Sequence, residues 1–337
     1  MATDDSRRRI VCLPGDGIGP EVMAQAHAVL AVLPLELEVA DYPFGGAAIE
    51  ACGDPLPPET LAACASAAAV LLGAVGGPQW DGAAVRPEAG LIGVRKALDV
   101  YANLRPAVGG GVDLLIVREL VGGLYYGARG TRPDGTVFDT CEYHPAQVER
   151  VARRAFLLAR SRGGRLLSVD KANVLDTSRM WRRVVSELAA DYPDVELRHG
   201  LVDSVAMQLV LAPQSFDVLV TENTFGDILS DVAAGVTGGL GLASSASLGD
   251  SGPGIFEPVH GSAPDLAGRG VANPTGMLRS LALLLEYGLG EAALAHALEA
   301  AVSGALAELP TPDLGGEATT EEFGAFVVGE LERSLAL

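Results

Sequence analysis

Lysine is almost missing from this chain. Of 337 residues two are lysine, Lys96 and Lys171, and every other cation except histidine is arginine. Basic charge as a whole is short: 24 Lys plus Arg stand against 43 Asp plus Glu, a formal net charge of −19. That balance excludes nucleic acid as an expected partner, because phosphate binding needs a basic face. No apolar run reaches the length of a membrane span, so no membrane partner is expected. The arginines at 7, 8 and 9 precede only a short apolar stretch before Pro14-Gly15-Asp16-Gly17, which does not read as a secretory or twin-arginine signal. The four cysteines, 12, 52, 64 and 141, form no C-x-x-C pair. Their scatter suits a reduced, cytoplasmic setting better than a disulfide framework or a zinc site.

What is present is a large apolar fraction, 49%, in a chain longer than one ordinary core. Two domains or one elaborated α/β unit are expected. "RRRIVCLPGDGIGPEV" opens like a dinucleotide-binding motif, but the third glycine of G-x-G-x-x-G comes one residue early and Pro20 takes its place. Pro20 and Glu21 suit the first turn of a helix over 20–32. A strand at "LELEVADYPF", a helix at "TLAACASAA" and a buried strand at "AVLLGAVGG" continue a mostly parallel α/β rhythm. The middle changes to antiparallel strands in "GVDLLIVREL" and "GGLYYGARGTRPDGTVFDTCEYH", with a turn at 133–135. A helix over 145–161, a strand in "RLLSVDKANVL", a loop over 235–254 and helices from about 274 complete the reading. The simplest arrangement is two lobes: 1–100 with 239–337, and 101–238.

Several residues point to chemistry. Asp227 and Asp231 of "NTFGDILSD" lie four apart, on one helix face, where like charges repel unless a cation lies between them. Asp203 falls in an apolar run, where a lone carboxylate is costly unless paired or metal-bound. Three carboxylates without histidine or thiol suit a hard cation, Mg²⁺ or Mn²⁺. Arg95, Arg105 and Arg118 together suit a dicarboxylate clamp through paired N–H donors. Lys171 follows a strand among small residues, where a lysine can exchange a proton and an arginine cannot. Tyr143 offers an acid, although a lone tyrosine more often packs. The segment 256–276 is long and rich in Gly, Pro, Asp and Asn, a composition that brings backbone amides and His260 to a nucleotide. Asp265 would favour the ribose diol of NAD over the phosphate of NADP, with Arg269 close enough in sequence to temper that reading.

"LPGDGIGPEV", "NLRP", "VREL" with "GGLYYG", "DKANVL", "FGDILSD" and "EPVHGSAPDLAG" with "ANP" follow one another in an order that resembles the β-decarboxylating dehydrogenases of the isocitrate/isopropylmalate type. The resemblance spans nearly the whole chain. It implies a two-lobed α/β fold with an open mixed sheet, distinct from the dinucleotide-binding fold, with a cleft between lobes and a homodimer built through the middle lobe. It implies that the glycine turn edges the cleft. Arg95, Arg105, Arg118 and Asp227 would bind the malate. Asp227 and Asp231, with Asp203 of the other copy, would hold Mg²⁺ or Mn²⁺. Lys171 of the other copy would take the hydroxyl proton, and Tyr143 would protonate the enolate. Glu257, His260, Gly261, Ser262, Ala263, Asp265, Leu266 and Asn273 would contact NAD. Leu91, Ile92 and Val174 would line the pocket for the C3 substituent.

The implied reaction is oxidative decarboxylation of 3-isopropylmalate to 4-methyl-2-oxopentanoate, a step of leucine biosynthesis. Apolar Leu91, one helical turn before Arg95, favours an alkyl group at C3. Burying an isopropyl group discriminates by only ~1–3 kcal/mol, so another 3-alkylmalate, D-malate or tartrate remains an alternative substrate. A silent binding paralogue is the alternative from another class. Two departures from the family pattern stand out. The segment 107–111 is short, and Glu222 places a carboxylate where it would either weaken NAD binding or face solvent.

Overall fold

The computed structural model describes residues 9–336, so the arginines at 7 and 8 lie outside the described residues. The chain divides into two compact units, residues 1–99 with 240–337 and residues 100–239.

Unit 1 begins with β1 (Arg9–Gly15), α1 (Gly19–Val32), β2 (Glu38–Asp41), α2 (Gly45–Cys52), α3 (Pro58–Ser66), β3 (Ala69–Ala74) and α4 (Pro87–Ala97). β1 lies between β2 and β3 and is parallel to both. Ile10 to Leu13 and Ala69 to Ala74 are buried without alternation, as a parallel sheet covered on both faces requires. Gly15 and Gly17 take left-handed φ values of 71° and 60°, and Asp16 between them turns inward. Its carboxylate accepts the backbone N–H groups of Gly46, Ala47 and Gly76 at 2.8–2.9 Å. Asp16 therefore ties the first turn of α2 and the exit of β3 to the glycine turn, with its charge at the positive end of a helix. The "PGDG" signal is a scaffold joint.

The chain then forms unit 2: β4 (Ala102–Gly109), β5 (Val112–Glu119), β6 (Arg129–Thr131), β7 (Val137–Asp139), α5 (Pro145–Ser161), β8 (Arg165–Asp170), α6 (Asp176–Leu188), β9 (Glu196–Leu201), α7 (Val202–Leu211), β10 (Val218–Thr221) and α8 (Asn223–Val236). Its strand order is β4-β5-β10-β8-β9. Only β4–β5 is antiparallel in that row; the other neighbours run parallel. β5 thus pairs with β4, which the sequence reading lacked, and not with the glycine-rich stretch after it. The short 107–111 segment is the hairpin itself. Gly109 pairs with Val112, leaving Gly110 and Gly111 as a two-residue loop with φ of 59° and 81°, the geometry that matches strand twist. β6 and β7 flank the expected turn at 133–135. Helix α5 buries Val148, Val151, Ala152, Ala155, Phe156 and Ala159 along one stripe. Helices α7 and α8 close a core that includes Val205, Leu209, Leu219, Leu229 and Ala233.

Returning to unit 1, the chain adds β11 (Ser244–Leu248), β12 (Gly254–Pro258), α9 (Thr275–Leu283), α10 (Ala292–Glu308) and α11 (Thr320–Leu335). β12 is parallel to β3 and antiparallel to β11. The expected loop over 235–254 is corrected here. "SSASL" is a fully buried strand whose serines find partners inside, as Ser245 Oγ does on the carbonyl of Glu257 at 3.1 Å. The 256–276 loop likewise starts inside β12 and is shorter by that much.

Candidate active site

The site in unit 2 is built on strand register. Asn103 of β4 stands opposite Arg118 of β5, and Arg105 is two residues from Asn103. Period-two alternation puts all three side chains on one face of the sheet. Arg105 Nε donates to Asn103 Oδ1 and Nη1 to Ser230 Oγ, both at 2.7 Å. Arg118 donates twice to Asn223 Oδ1, at 2.9 and 2.7 Å, and pairs with Asp227. Both guanidinium groups are buried. Asp227 Oδ1 and Asp231 Oδ1 lie 3.4 and 3.6 Å from the same Arg105 Nη1, so the pair on α8 does converge as the spacing predicts. Burial, followed by the Asp227 charge, raises the Asp231 carboxyl against the opposing pull of Arg105. Tyr125, Asn103, Asn223 and Ser230 hold these charges in place and escaped the sequence reading. Tyr125 donates to Asp227 Oδ2 at 3.0 Å.

The apolar run around Asp203 does not bury it: its side chain is 62% exposed in the first turn of α7. The apolar run around it turns Met207, Val210 and Leu211 outward. Lys171, just past β8, donates from Nζ to Asp203 Oδ1 at 2.5 Å, and this bond holds the Asp203 carboxyl below its usual range. Among the described residues, no set of three His, Cys, Asp or Glu ligand atoms within 4.8 Å of one another includes Asp203, Asp227 or Asp231. Within one chain Asp203 thus lies against Lys171, while Asp227 and Asp231 lie against Arg105. Val174, in the turn after Lys171, is exposed.

Tyr143 is half-buried and lies edge-on to Trp181 at 5.9 Å. Its hydroxyl accepts the Asn223 N–H at 3.0 Å and faces Glu222 Oε2 at 3.4 Å. Burial first, then the charges of Glu119 and Glu222, push its ionisation far up. The tyrosine therefore keeps its proton until an acceptor demands it. Glu119 is fully buried, accepts the Val121 and Gly122 N–H groups, and is pushed by burial up to about 7. Glu222 corrects the solvent reading. It is buried and caps α8, accepting from Phe225 N at 2.7 Å and Thr224 N at 3.2 Å. A cavity of about 240 Å³ opens beside this group, lined by Tyr143, Glu222, Asp170, Cys141, Leu175 and Trp181.

Unit 1 carries the other candidates. Leu91 is half-buried and Ile92 exposed on α4, and Arg95 one turn further pairs with Glu257 of β12 at 2.5 Å, both largely buried. Beyond β12, His260 Nδ1 contacts its neighbour's carbonyl, Gly261 O, at 2.9 Å. Burial lowers the imidazole, and Nε2 is a buried nitrogen without a hydrogen bond. Ser262 O accepts the Ile18 N–H at 2.8 Å. Ala263 takes a left-handed φ of 38° and starts a turn closed by Leu266 N. Asp265 and Gly261 are exposed. Arg269 donates to the Asp265 main-chain carbonyl at 3.4 Å, so an arginine does stand beside that aspartate. Asn273 is engaged with Asp313 and with the Thr275 N–H at the start of α9.

Residues 9–327 match the isocitrate/isopropylmalate dehydrogenase family. A 3-isopropylmalate dehydrogenase of Bacillus thuringiensis subsp. konkukian is 48% identical, with 96% of this chain and 97% of the relative covered. One from Oleidesulfovibrio alaskensis is 52% identical, over 87% of this chain and 90% of the relative. Among solved structures, an isocitrate dehydrogenase from Methylococcus capsulatus superposes with a TM-score of 0.90 at 36% identity, covering 96% of this chain and 99% of that one.

Proposed function

The chain belongs to the isocitrate/isopropylmalate dehydrogenase family, and on that premise we propose that it oxidatively decarboxylates 3-isopropylmalate to 4-methyl-2-oxopentanoate, with NAD as oxidant and Mg²⁺ or Mn²⁺ bound. The observation that carries this reading is the meeting of buried Arg105 and Arg118 with Asp227 and Asp231. Two fixed guanidinium groups suit substrate carboxylates. Two converging carboxylates offer only oxygen, the donor set that suits a hard divalent cation. The nucleotide reading rests on the unpaired His260 Nε2 and on the exposed Gly261 and Asp265 in one loop. When bound, NAD accepts a hydride and the cation stabilises negative charge on the substrate oxygens.

The chain's own residues then have distinct tasks. Arg95, Arg105 and Arg118 orient the two carboxylates, so that the C2 hydrogen and the carboxylate lost as CO₂ are fixed relative to one another. Lys171 takes the C2 hydroxyl proton as the hydride leaves. Decarboxylation leaves its electron pair at C3, and Tyr143 returns a proton there. Asp227 and Asp231 of one copy, with Asp203 of a second, hold the cation. A homodimer with shared sites is supported by the lack, among the described residues, of a ligand set in one chain that joins Asp203 to Asp227 and Asp231, and by exposed Met207, Val210, Leu211 and Ile228 on α7 and α8. Leu91 and Ile92 of α4, with Val174 of a second copy, meet the isopropyl group, and this apolar lining favours that substrate over a third carboxylate.

Steady-state NADH formation with 3-isopropylmalate, isocitrate, D-malate and tartrate tests the reading. The highest kcat/KM is expected for 3-isopropylmalate. A higher value for any of the others overturns the substrate assignment.

A further inference from the structure

A second cluster of metal-ligating side chains lies in unit 1, among residues given no task above. The parallel register of β1 and β2 sets Cys12 beside Asp41, so both side chains point to the same face of the sheet. Helix α1 packs on β1 and brings His27 to that pair. Cys12 Sγ, a ring nitrogen of His27 and a carboxylate oxygen of Asp41 all lie within 4.8 Å of one another. His27 Nε2 is 3.0 Å from Asp41 Oδ1, yet the two are misaligned for a hydrogen bond, and this buried ring nitrogen makes none. The imidazole is thus close to a carboxylate without the directional contact that would satisfy it. Cys12 is fully buried, whereas His27 and Asp41 keep about a third and a half of their side chains exposed. One flank of the cluster is sealed and the other is open to water.

We propose that Cys12, His27 and Asp41 form a binding site for a borderline-soft divalent cation of the Zn²⁺ type. One sulfur, one nitrogen and one oxygen ligand with a water in the fourth position match a tetrahedral ion, and a mixed S/N/O set does not suit Mg²⁺. Binding replaces the thiol proton of Cys12, which leaves to solvent, by a metal–sulfur bond without any change of oxidation state. The ion would clasp the three consecutive elements β1, α1 and β2. The weakest of these is β2, a four-residue strand at the end of the sheet order. No short-range cysteine motif announces the site, because each ligand comes from a different element.

Co²⁺ added to the chelator-treated full-length protein is the probe. A near-ultraviolet thiolate-to-cobalt charge-transfer band is expected to saturate at one equivalent per chain. Oxygen-only ligation by Asp227 and Asp231 gives no such band, so it should persist in Asp227→Asn. It should vanish in Cys12→Ser, and Co²⁺ should bind this site ~10-fold or more weakly in His27→Ala. Zn²⁺ should displace the cobalt and raise the Tm of the wild type more than that of His27→Ala. His27, about a third exposed, keeps the test decisive if Cys12→Ser fails to fold. Absence of the band in folded wild type overturns the proposal, as does a band unchanged in His27→Ala.

Discussion

Lys171 donates to Asp203 within the same chain, Nζ to Oδ1 at 2.5 Å. The same carboxylate is proposed to serve a cation in the site of a second copy. If sites are shared, Lys171→Ala and Asp227→Asn homodimers will each be nearly inactive. Dissociation, mixing and reassociation will place both lesions in one site and leave the other whole. Random pairing gives about half heterodimers, so about a quarter of wild-type activity should return if sites act independently. Activity assays on the reassociated mixture check this, with isolated heterodimers expected at about half of wild-type activity, and no recovery counts against a shared, independent site.

Divalent-cation removal will abolish NADH production, and readdition of Mg²⁺ or Mn²⁺ will restore it. Asp231→Asn should lower kcat by two orders of magnitude or more. Asp227→Asn should do the same while destabilising the fold by about 1–3 kcal/mol, because it also loses the charged partner of buried Arg118. Arg118 keeps two bonds to Asn223, so the variant remains folded. Chelator titration with metal analysis, together with urea unfolding, checks both effects.

Glu222→Ala will cost about 1–2 kcal/mol, the loss of a helix cap, since two N–H groups of the first turn of α8 lose their acceptor. Denaturant unfolding measures this. An unchanged midpoint would show that water replaces the cap.

Glu119 gives stability a pH dependence of definite sign. Burial holds its carboxyl at about 7 in the folded chain, against about 4.3 unfolded. Between these values the folded state binds more protons, so stability falls as pH rises and stays lower above pH 7. Glu119→Gln removes that dependence. The stability of wild type minus variant should be larger at pH 4 than at pH 8, by on the order of 3 kcal/mol. Urea unfolding of both proteins at the two pH values checks it.

NAD will be preferred over NADP, and Asp265→Ala will narrow the ratio of kcat/KM values by about tenfold, because the aspartate's charge no longer repels a 2′-phosphate. Wild-type preference for NADP would mean that Arg269, already on the Asp265 carbonyl, dominates.

Local patterns were legible in the sequence. The convergence of Asp227 and Asp231 follows from helical spacing alone, and the helix over 145–161 matches α5. Lys171 stood out by rarity. Contacts set by strand register were not legible: β4 hides in "NLRPAVG", and its pairing with β5 decides that Asn103 and Arg105 share a face with Arg118. The exposure of Asp203 was not legible, because hydropathy alone does not show that α7 turns part of its apolar run outward. Glu222 is a helix cap because α8 begins immediately after it. The buried serines of β11 look like loop until their partners in β12 are known.

The bond from the Ile18 N–H to Ser262 O gives the glycine turn a use in observing the protein. Gly17 leaves no room there for a side chain, since a Cβ would run into Ser262. Turn and loop are thus in contact at backbone level, with nothing flexible between them to absorb a shift. The Ile18 amide is therefore a built-in reporter. Its resonance should move when a nucleotide settles on the 259–274 loop, although Ile18 belongs to a turn that closes on Asp16 instead of on a phosphate.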